Sequence, residues 1–588
     1  MRFKPLNPLW SLGIAGLLAL PATAAEAPQI AVEEVVLENG MTWLLYEQHD
    51  SPTVTAGWTA LVGSVNERPG ITGMSHFFEH MMFKGTHTIG TTDIEADLRV
   101  IEEQESVRKE MRAEKALMRE RLRRGEIDDL SAPESWTERY RELNAEFDAL
   151  VERQRETIVN GEFDRIYTSN GAEFMNAFTS EDQTVYFVRV PSNRLELWAW
   201  LESDRLLNPV FREFYSERDV VFEERRMRTE STPLGRFDEA FNATFWEAHP
   251  YMWPVVGWAS DIPTYTLDQA RTFFASYYAP NNLVGVLAGD FDVAQVKPLL
   301  ARYFGRIPRG TVEPAPVVTL EPEQVAEKRY NAVAETSPTV RIWWKGVPFV
   351  HRDMPVLDLL SDVLIGRTGR LYKGLVEGRK IANQTSAYID ARKYSGIFIV
   401  ECTVKEAEDP AAVEAAVYEE VERLQKEPVP AHELQKVKNR YKANAYRRLA
   451  SPIGIGLQLM IYAGMGDWGY INTSAERADA VTAEDIQRAA STYLVEERRT
   501  VGVFLRKEGG EPEDPEVAAL SAEAQSMVRQ TLKQLEAVDD PAQLQQMIAQ
   551  MEQGAGQAPP EMQPAISLLL KRAGERLDAL SSASEASK

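Results

Sequence analysis

The sequence predicts an α/β (α+β) chain of more than one domain, interrupted by an inserted helical hairpin and closed by a helical tail. Strand-like and helix-like stretches alternate from Ile30 to about Asp292, and again from about Ala326 to Arg506. Between residues 93 and 167 the texture changes. Ile101 to Arg123 and Trp136 to Thr157 are rich in Glu, Arg, Lys, Leu and Ala, and they flank the turn-forming stretch Arg124 to Pro133. After Gly509 the chain becomes Gln-, Glu- and Ala-rich, with a break at Gly554 to Pro560. At 588 residues it is too long for one hydrophobic core.

Taken in order, Arg2 and Lys4 precede the apolar run Trp10 to Leu20, and small residues follow at Ala22-Thr23-Ala24-Ala25. This is the pattern of a secretory signal peptide over residues 1–25. The run is short for a membrane anchor, which needs about 20 apolar residues. Export, with a bacterial periplasm as the compartment, is therefore expected, and no stable membrane span in the mature chain. Val35 to Leu37, the turn Glu38-Asn39-Gly40, Met41 to Glu47 and Val54 to Val65 read as strands and a hairpin. Gly70-Ile71-Thr72-Gly73 then opens a helix carrying the densest histidine cluster in the chain. Alternation resumes at Phe174, and the Pro- and Val-rich stretch Pro308 to Pro322 reads as a linker. The expected divisions are 30–300 with the hairpin inserted at 93–167, a linker at 301–325, a second domain at 326–506 and a tail at 510–588. The hairpin reads as a solvated surface insertion rather than a lid or docking arm. The single cysteine, Cys402, lies in a strand-like run, which predicts an inert core thiol. A net charge of -24 argues against a nucleic-acid partner.

The informative segment is Gly73-Met-Ser-His76-Phe-Phe-Glu79-His80-Met-Met-Phe-Lys-Gly-Thr86. Residues four apart share a helix face, so His76 and His80 can present imidazoles to one ion. Glu79 stands at the edge of that face, where it can reach a water activated by the metal. Phe77, Phe78, Met81, Met82 and Phe83 make the surroundings apolar, and low dielectric strengthens the pull of a cation. The order His-x-x-Glu-His is the inverted zinc motif. A catalytic zinc takes three protein ligands and keeps an open position, so a downstream carboxylate is needed.

The run from Leu37-Glu38-Asn39-Gly40 through Phe83-Lys84-Gly85-Thr86 resembles the pitrilysin/insulinase metallopeptidases, which include the mitochondrial processing peptidases and bacterial relatives. In that family the third ligand lies on a later helix, in a Glu-x-x-x-x-x-x-Glu pattern, matched here by Glu217 to Glu224. The resemblance implies one Zn2+ per chain held by His76, His80 and Glu224, with Glu79 as general base and Glu217 supporting the site. Glu223 competes for the ligand role but points about 100° away on a helix. Glu224 lies 144 residues after His80, farther than in relatives, and the hairpin accounts for the excess. Asn176-Ala177-Phe178-Thr179 resembles the family's edge strand that pairs with extended substrate. Arg370 matches an arginine that steadies substrate across the cleft. Asn383 stands where a tyrosine is expected, and Tyr388 is out of register. His249-Pro250-Tyr251, Gly257 and Tyr277 to Asn282 also match and read as structural. His49, His87, His249, His351 and His432 have no ligand spacing.

The resemblance covers roughly residues 30–505 without the hairpin. It implies two homologous domains, each a mixed β-sheet covered by helices on one face, the second lacking a zinc motif. It further implies a zinc-dependent endopeptidase acting on peptides or unfolded polypeptides. Relatives enclose substrate between two such domain pairs, so a homodimer, or a heterodimer with a related catalytically degenerate chain, is expected. The rival readings are a non-catalytic scaffold of the same fold and a coiled-coil interaction protein built on hairpin and tail.

Overall fold

The computed structural model describes residues 29–506, apart from 131, 335 and 407, and residues 514–586, apart from 537, 539 and 556–561. The signal peptide read over residues 1–25 lies outside them.

Two mixed sheets organise the chain. The first contains β1 (Glu33–Val36), β2 (Thr42–Glu47), β3 (Thr53–Ala60), β4 (Glu173–Thr179), β5 (Thr184–Pro191) and β6 (Leu283–Gly289), in the order β1-β2-β6-β3-β5-β4. The second contains β7 (Lys328–Ala334), β8 (Thr339–Lys345), β9 (Ala382–Asp390), β10 (Ile397–Val404) and β11 (Arg499–Arg506), in the order β7-β11-β8-β10-β9. β2 runs parallel to β6, β7 runs parallel to β11, and the other pairs are antiparallel. The second sheet thus repeats the wiring of β2-β6-β3-β5-β4 strand for strand, with β4 and β9 as equivalent edges.

The helices of the first half are α1 (Met74–Met81), α2 (Ile94–Arg123), α3 (Glu138–Arg155), α4 (Glu162–Ser169), α5 (Leu195–Leu207), α6 (Phe214–Arg225), α7 (Gly235–Phe245), α8 (Leu267–Tyr277) and α9 (Val293–Tyr303). Those of the second are α10 (Met354–Leu364), α11 (Pro410–Lys426), α12 (Ala431–Arg448), α13 (Pro452–Met465), α14 (Tyr470–Ala480) and α15 (Ala483–Tyr493). Each sheet is covered on one face by its own helices. Trp43, Ala56 and Trp58 meet Phe77, Phe78, Trp198 and Leu300 in the first, and Ile342, Trp344 and Val400 meet Leu360, Val417 and Ile486 in the second.

The opposite faces are covered by exchange. Leu459 and Met460 of α13 pack on Leu44, Val185 and Val286 of the first sheet, and Phe245 of α7 packs with Ile397, Ile399 and Trp343 of the second. This explains why β3 (TVTAGWTA) lacks an inside-outside alternation: seven of its eight residues are buried. Gly57 allows the close approach, since a side chain there would meet Met460 at 2.6 Å. Each half therefore lends the other a helix, and the two are one interlocked body.

The hairpin departs from the surface insertion read in the sequence. Val107, Met111, Met118, Tyr140, Leu143 and Phe147 form an apolar seam between α2 and α3 that joins the core of the first sheet. The Arg108 guanidinium lies 3.7 Å from the Phe147 ring centroid and 4.7 Å from that of Tyr215 on α6. Tyr215 also bonds to Glu105 and accepts from Arg112. Arg212 Nε donates to Asp97 at 2.5 Å, in a pair whose side chains are 1% and 0% exposed. Narrow three- and four-spaced stripes in Glu/Arg-rich helices bury these positions, so mean composition hides them.

The tail holds α16 (Pro515–Ala518), α17 (Ala522–Glu536), α18 (Pro541–Ala555) and α19 (Gln563–Ala586), with a core of their own around Val528, Leu535, Leu544 and Leu569. Among the described residues no helix is long and apolar enough to cross a membrane. Cys402 is fully buried on β10, where burial pushes its thiol up to about 12.

Removing one member of a buried ion pair leaves the other charge without a partner, which costs about 3–5 kcal/mol. Asp97→Ala is therefore expected to lower stability by about that amount in urea unfolding. Pairing it with Arg212→Met should restore part of the loss. An Asp97→Ala protein as stable as the parent would show that the hairpin is not clamped through this pair.

Candidate metal centre and peptide-binding edge

α1 begins where Gly73 takes a left-handed conformation (φ 88°), which places its backbone against Val256; a side chain there would meet the Val256 carbonyl at 2.3 Å. The buried Glu67 carboxylate accepts from the N–H groups of Gly73 (2.6 Å) and Ser75 (2.7 Å), satisfying donors the helix cannot. The register so fixed aims His76 and His80 at α6 and Glu79 at the end of β4.

On α6 the seven-residue spacing puts Glu217 and Glu224 on the same face, toward α1. Glu223 turns outward and pairs with Arg226, its side chain 59% exposed. The Glu224 carboxylate lies 3.7 Å from His76 Nε2 and 3.3 Å from His80 Nε2. Ligand atoms from all three residues fall within 4.8 Å of one another. Zinc bonds of about 2.0–2.2 Å in a tetrahedron give donor separations of about 3.3–3.6 Å. The two carboxylate–imidazole separations lie close to that range, and two imidazoles with one carboxylate are a donor set that suits this ion.

The electrostatics agree. Burial lowers the His76 pKa to about 4, against the pull of Glu224, so its ring is neutral and its lone pair free. At His80 burial also opposes the cation, but hydrogen bonds to Glu217 and Glu224 outweigh it and raise the pKa to about 9. The same two carboxylates would draw a metal cation to Nε2. His80 Nδ1 lies 2.8 Å from Glu217, which holds the ring's orientation. Burial disfavours the Glu217 carboxylate, yet His80 and Lys84 (2.6 Å) overcome it and keep its pKa below the usual range. Glu79 is raised above that range by burial, partly offset by Thr179 Oγ1, which donates to its Oε2 at 2.6 Å.

Thr179 ends β4, whose only ladder partner among the described residues is β5. Its free edge runs past the candidate centre. Asn176 and Ala177 line a cavity of about 450 Å³ together with Glu79 and His80. Phe178 turns the other way, into the cluster formed with α13. Arg370 does not join these residues: its guanidinium is engaged by Glu433 of α12 at 2.9 and 3.1 Å. Tyr388, by contrast, lines a cavity of about 430 Å³ between the two halves, together with Arg228.

Two neighbours were not singled out from the sequence. Arg228 donates to Glu224 at 2.8 Å, and Lys84 bridges Glu213 (3.2 Å) and Glu217. Arg228 follows Glu224 by four residues, a spacing that marks a shared helical face.

Comparison with known proteins adds the family. Residues 43–108, which include α1, match the family described as Insulinase (Peptidase family M16), and residues 264–441 match the one described as Peptidase M16 inactive domain. The chain carries both domains of peptidase family M16. Zinc protease PqqE of Helicobacter pylori is 28% identical to this M16 chain over 354 residues, covering 59% of it and 79% of the relative. A crystal structure of a protease from Helicobacter pylori superposes with a TM-score of 0.66 at 22% identity, covering 81% of this chain and 100% of that one. The periplasmic protease PqqL of Escherichia coli superposes with a TM-score of 0.60 at 17% identity, covering 85% of this chain and 50% of that one. Glu217 and Glu224 lie outside both matched stretches; the family resemblance singled them out, and the geometry above brings them beside the two histidines.

In this M16 chain, Glu224→Ala is expected to abolish tight zinc binding, whereas Glu223→Ala leaves it intact, as read by chelator competition and metal content. Glu217→Ala should weaken it by about 10–100-fold, the effect of losing a residue that orients a ligand. Equal loss in the Glu223 and Glu224 variants would reject this ligand set.

Proposed function

We propose that the chain is an exported zinc endopeptidase of peptides or unfolded polypeptides, with His76, His80 and Glu224 as metal ligands and Glu79 as general base. The observation that carries this reading is the convergence of those four side chains beside an open sheet edge. A single zinc motif in a chain whose relatives are named zinc proteases supports it. The basic, apolar and small-residue order of residues 1–25, and the periplasmic setting in the printed name of PqqL, support export.

The free N–H and C=O groups of β4 would take an extended peptide as an added strand, a mode that reads backbone rather than sequence. That register brings the scissile carbonyl alongside Glu79. Zinc, when bound, polarises this carbonyl as a Lewis acid and makes water a competent nucleophile near neutral pH. Glu79 accepts the proton of the attacking water as the C–O bond forms, then delivers it to the amine nitrogen as the C–N bond breaks. Its raised pKa suits both transfers, and Thr179 aims it. Glu217, held by Lys84, keeps His80 in the tautomer that leaves Nε2 free.

A second reading has a specific basis. The chain covers only 50% of PqqL, and Arg370 is held inside the second half by Glu433. A complete chamber would then need a second chain, either another copy or a related chain without the zinc residues.

Cleavage of a quenched unstructured peptide by the chain lacking residues 1–25 tests both. Glu79→Gln is expected to retain zinc and lower turnover about a hundredfold to ten-thousandfold, the usual share of a general base. Turnover by the chain alone supports a self-sufficient enzyme or homodimer, and bound zinc without turnover supports a partner chain. Neither zinc nor turnover would overturn the proposal.

A further inference from the structure

Where the hairpin meets α6, the charges do not balance. Arg108, Arg112, Lys115 and Arg119 follow one another on α2 at spacings of four, three and four residues, so they form a basic stripe along one helix face. The stripe runs about 16 Å along the axis. Arg218 of α6 joins it from the other side, its side chain 8% exposed. Arg108 and Arg218 share the Tyr215 ring, their guanidinium carbons 4.7 and 5.2 Å from its centroid. Lys115 Nζ lies 5.8 Å from the ring centroid of Tyr140 on α3.

Few carboxylates answer these cations. Arg112 is held by Glu105 and Arg218 by Asp219. Among the described residues, no carboxylate lies within ion-pair distance of Arg108, Lys115 or Arg119. Arg108 also stacks on the Phe147 ring at 3.7 Å. Stacking uses the plane of a guanidinium and leaves the N–H donors at its rim for an acceptor. Here Nε of that group is buried with no hydrogen-bond partner. Burial and the nearby Arg218, Arg108 and Arg119 push the Lys115 ammonium down to about 8, and burial with Arg218 pushes Arg108 down to about 10. Asp219 opposes both shifts, but its side chain is 63% exposed. Like charges gathered at a partly buried contact repel, and an anion seated among them relieves the repulsion. In a chain of net charge -24, four cations around one carboxylate run against the general balance.

We infer that the contact between the hairpin and α6 is a binding site for a phosphate group of two negative charges or more, taken by Arg108, Lys115, Arg119 and Arg218. A guanidinium offers paired N–H donors that match phosphate oxygens, and an ammonium adds a compact charge. A single carboxylate brings one charge and two oxygens, fewer than these four groups engage. Because Arg218 directly follows Glu217, a phosphate held here ties the hairpin to the helix that carries Glu217 and Glu224. The site uses none of the residues of the metal centre and does not depend on the peptidase reading. A free phosphate and the monoester headgroup of an anionic phospholipid present the same chemistry, and the test separates them.

The test is calorimetric titration of inorganic phosphate into the zinc-loaded chain lacking residues 1–25, at constant ionic strength set with sodium chloride. Sedimentation with phosphatidic acid vesicles is the second arm. The wild-type protein should bind saturably. Lys115→Gln with Arg119→Gln should weaken that binding by about tenfold or more, the scale of one charge-assisted hydrogen bond. Arg119→Glu should weaken it through charge alone. In both variants zinc content should be unchanged, and the melting temperature without phosphate should not fall, since a repulsion has been removed. Vesicle binding that the same variants lose would assign the site to a lipid headgroup, whereas phosphate binding without vesicle binding would assign it to a soluble phosphate. No saturable binding of either probe, or binding equal in wild type and both variants, as expected of phosphate held at zinc alone, would overturn the inference.

Discussion

The His80 imidazole joins two helices that are far apart in the chain. Nδ1 meets Glu217 at 2.8 Å, and Nε2 faces Glu224 at 3.3 Å. Both carboxylates project from α6, whereas the ring belongs to α1. Around this link Phe77 packs edge-on against Phe214 at 5.0 Å, and Arg212 ties the loop after α1 to the start of α6. Buried charges are tolerated only with partners, and both carboxylates that partner His80 lie on the other helix. If α1 and α6 moved apart, the donor set would disperse, Glu79 would lose its place beside it, and the cavity under β4 would open.

That contact explains why so long an insertion is compatible with the site. Loop-closure entropy grows slowly with length, so residues between the two helices add little cost once the ends are pinned. The Thr91–Ile158 bridge pins them. The hairpin then repays its own ordering by burying an apolar seam and by pairing Asp97 with Arg212. The exchange of α7 and α13 between sheets works in the same direction. Each half lacks a cover for one sheet face, so neither half of the chain is expected to be stable apart from the other.

Much of the candidate site was legible in the sequence because it is local. His76, Glu79 and His80 lie within five residues of one helix, whereas Glu217 and Glu224 stand in a Glu-rich stretch and were singled out only through the family resemblance. The mixed α/β fold was legible through its alternation of strands and helices. What escaped was non-local. Nothing in Arg212 or Asp97 marks them as a buried pair 115 positions apart. The bridge that ties Ile158 to Thr91 leaves no mark in the sequence. Arg370 matched a pattern, but the pattern holds no information on Glu433, which engages it. Strand β3 looked like an ordinary strand, and only the arrival of α13 explains its burial on both faces.

The account stands on one ion at one place. Anomalous diffraction at the zinc edge from crystals of the zinc-loaded chain would test it most directly. The account predicts one strong peak between α1 and α6, within about 2.0–2.2 Å of His76 Nε2, His80 Nε2 and a Glu224 oxygen, with Glu79 beside it but not bound. A peak elsewhere, or none in protein that retains this fold, would contradict it.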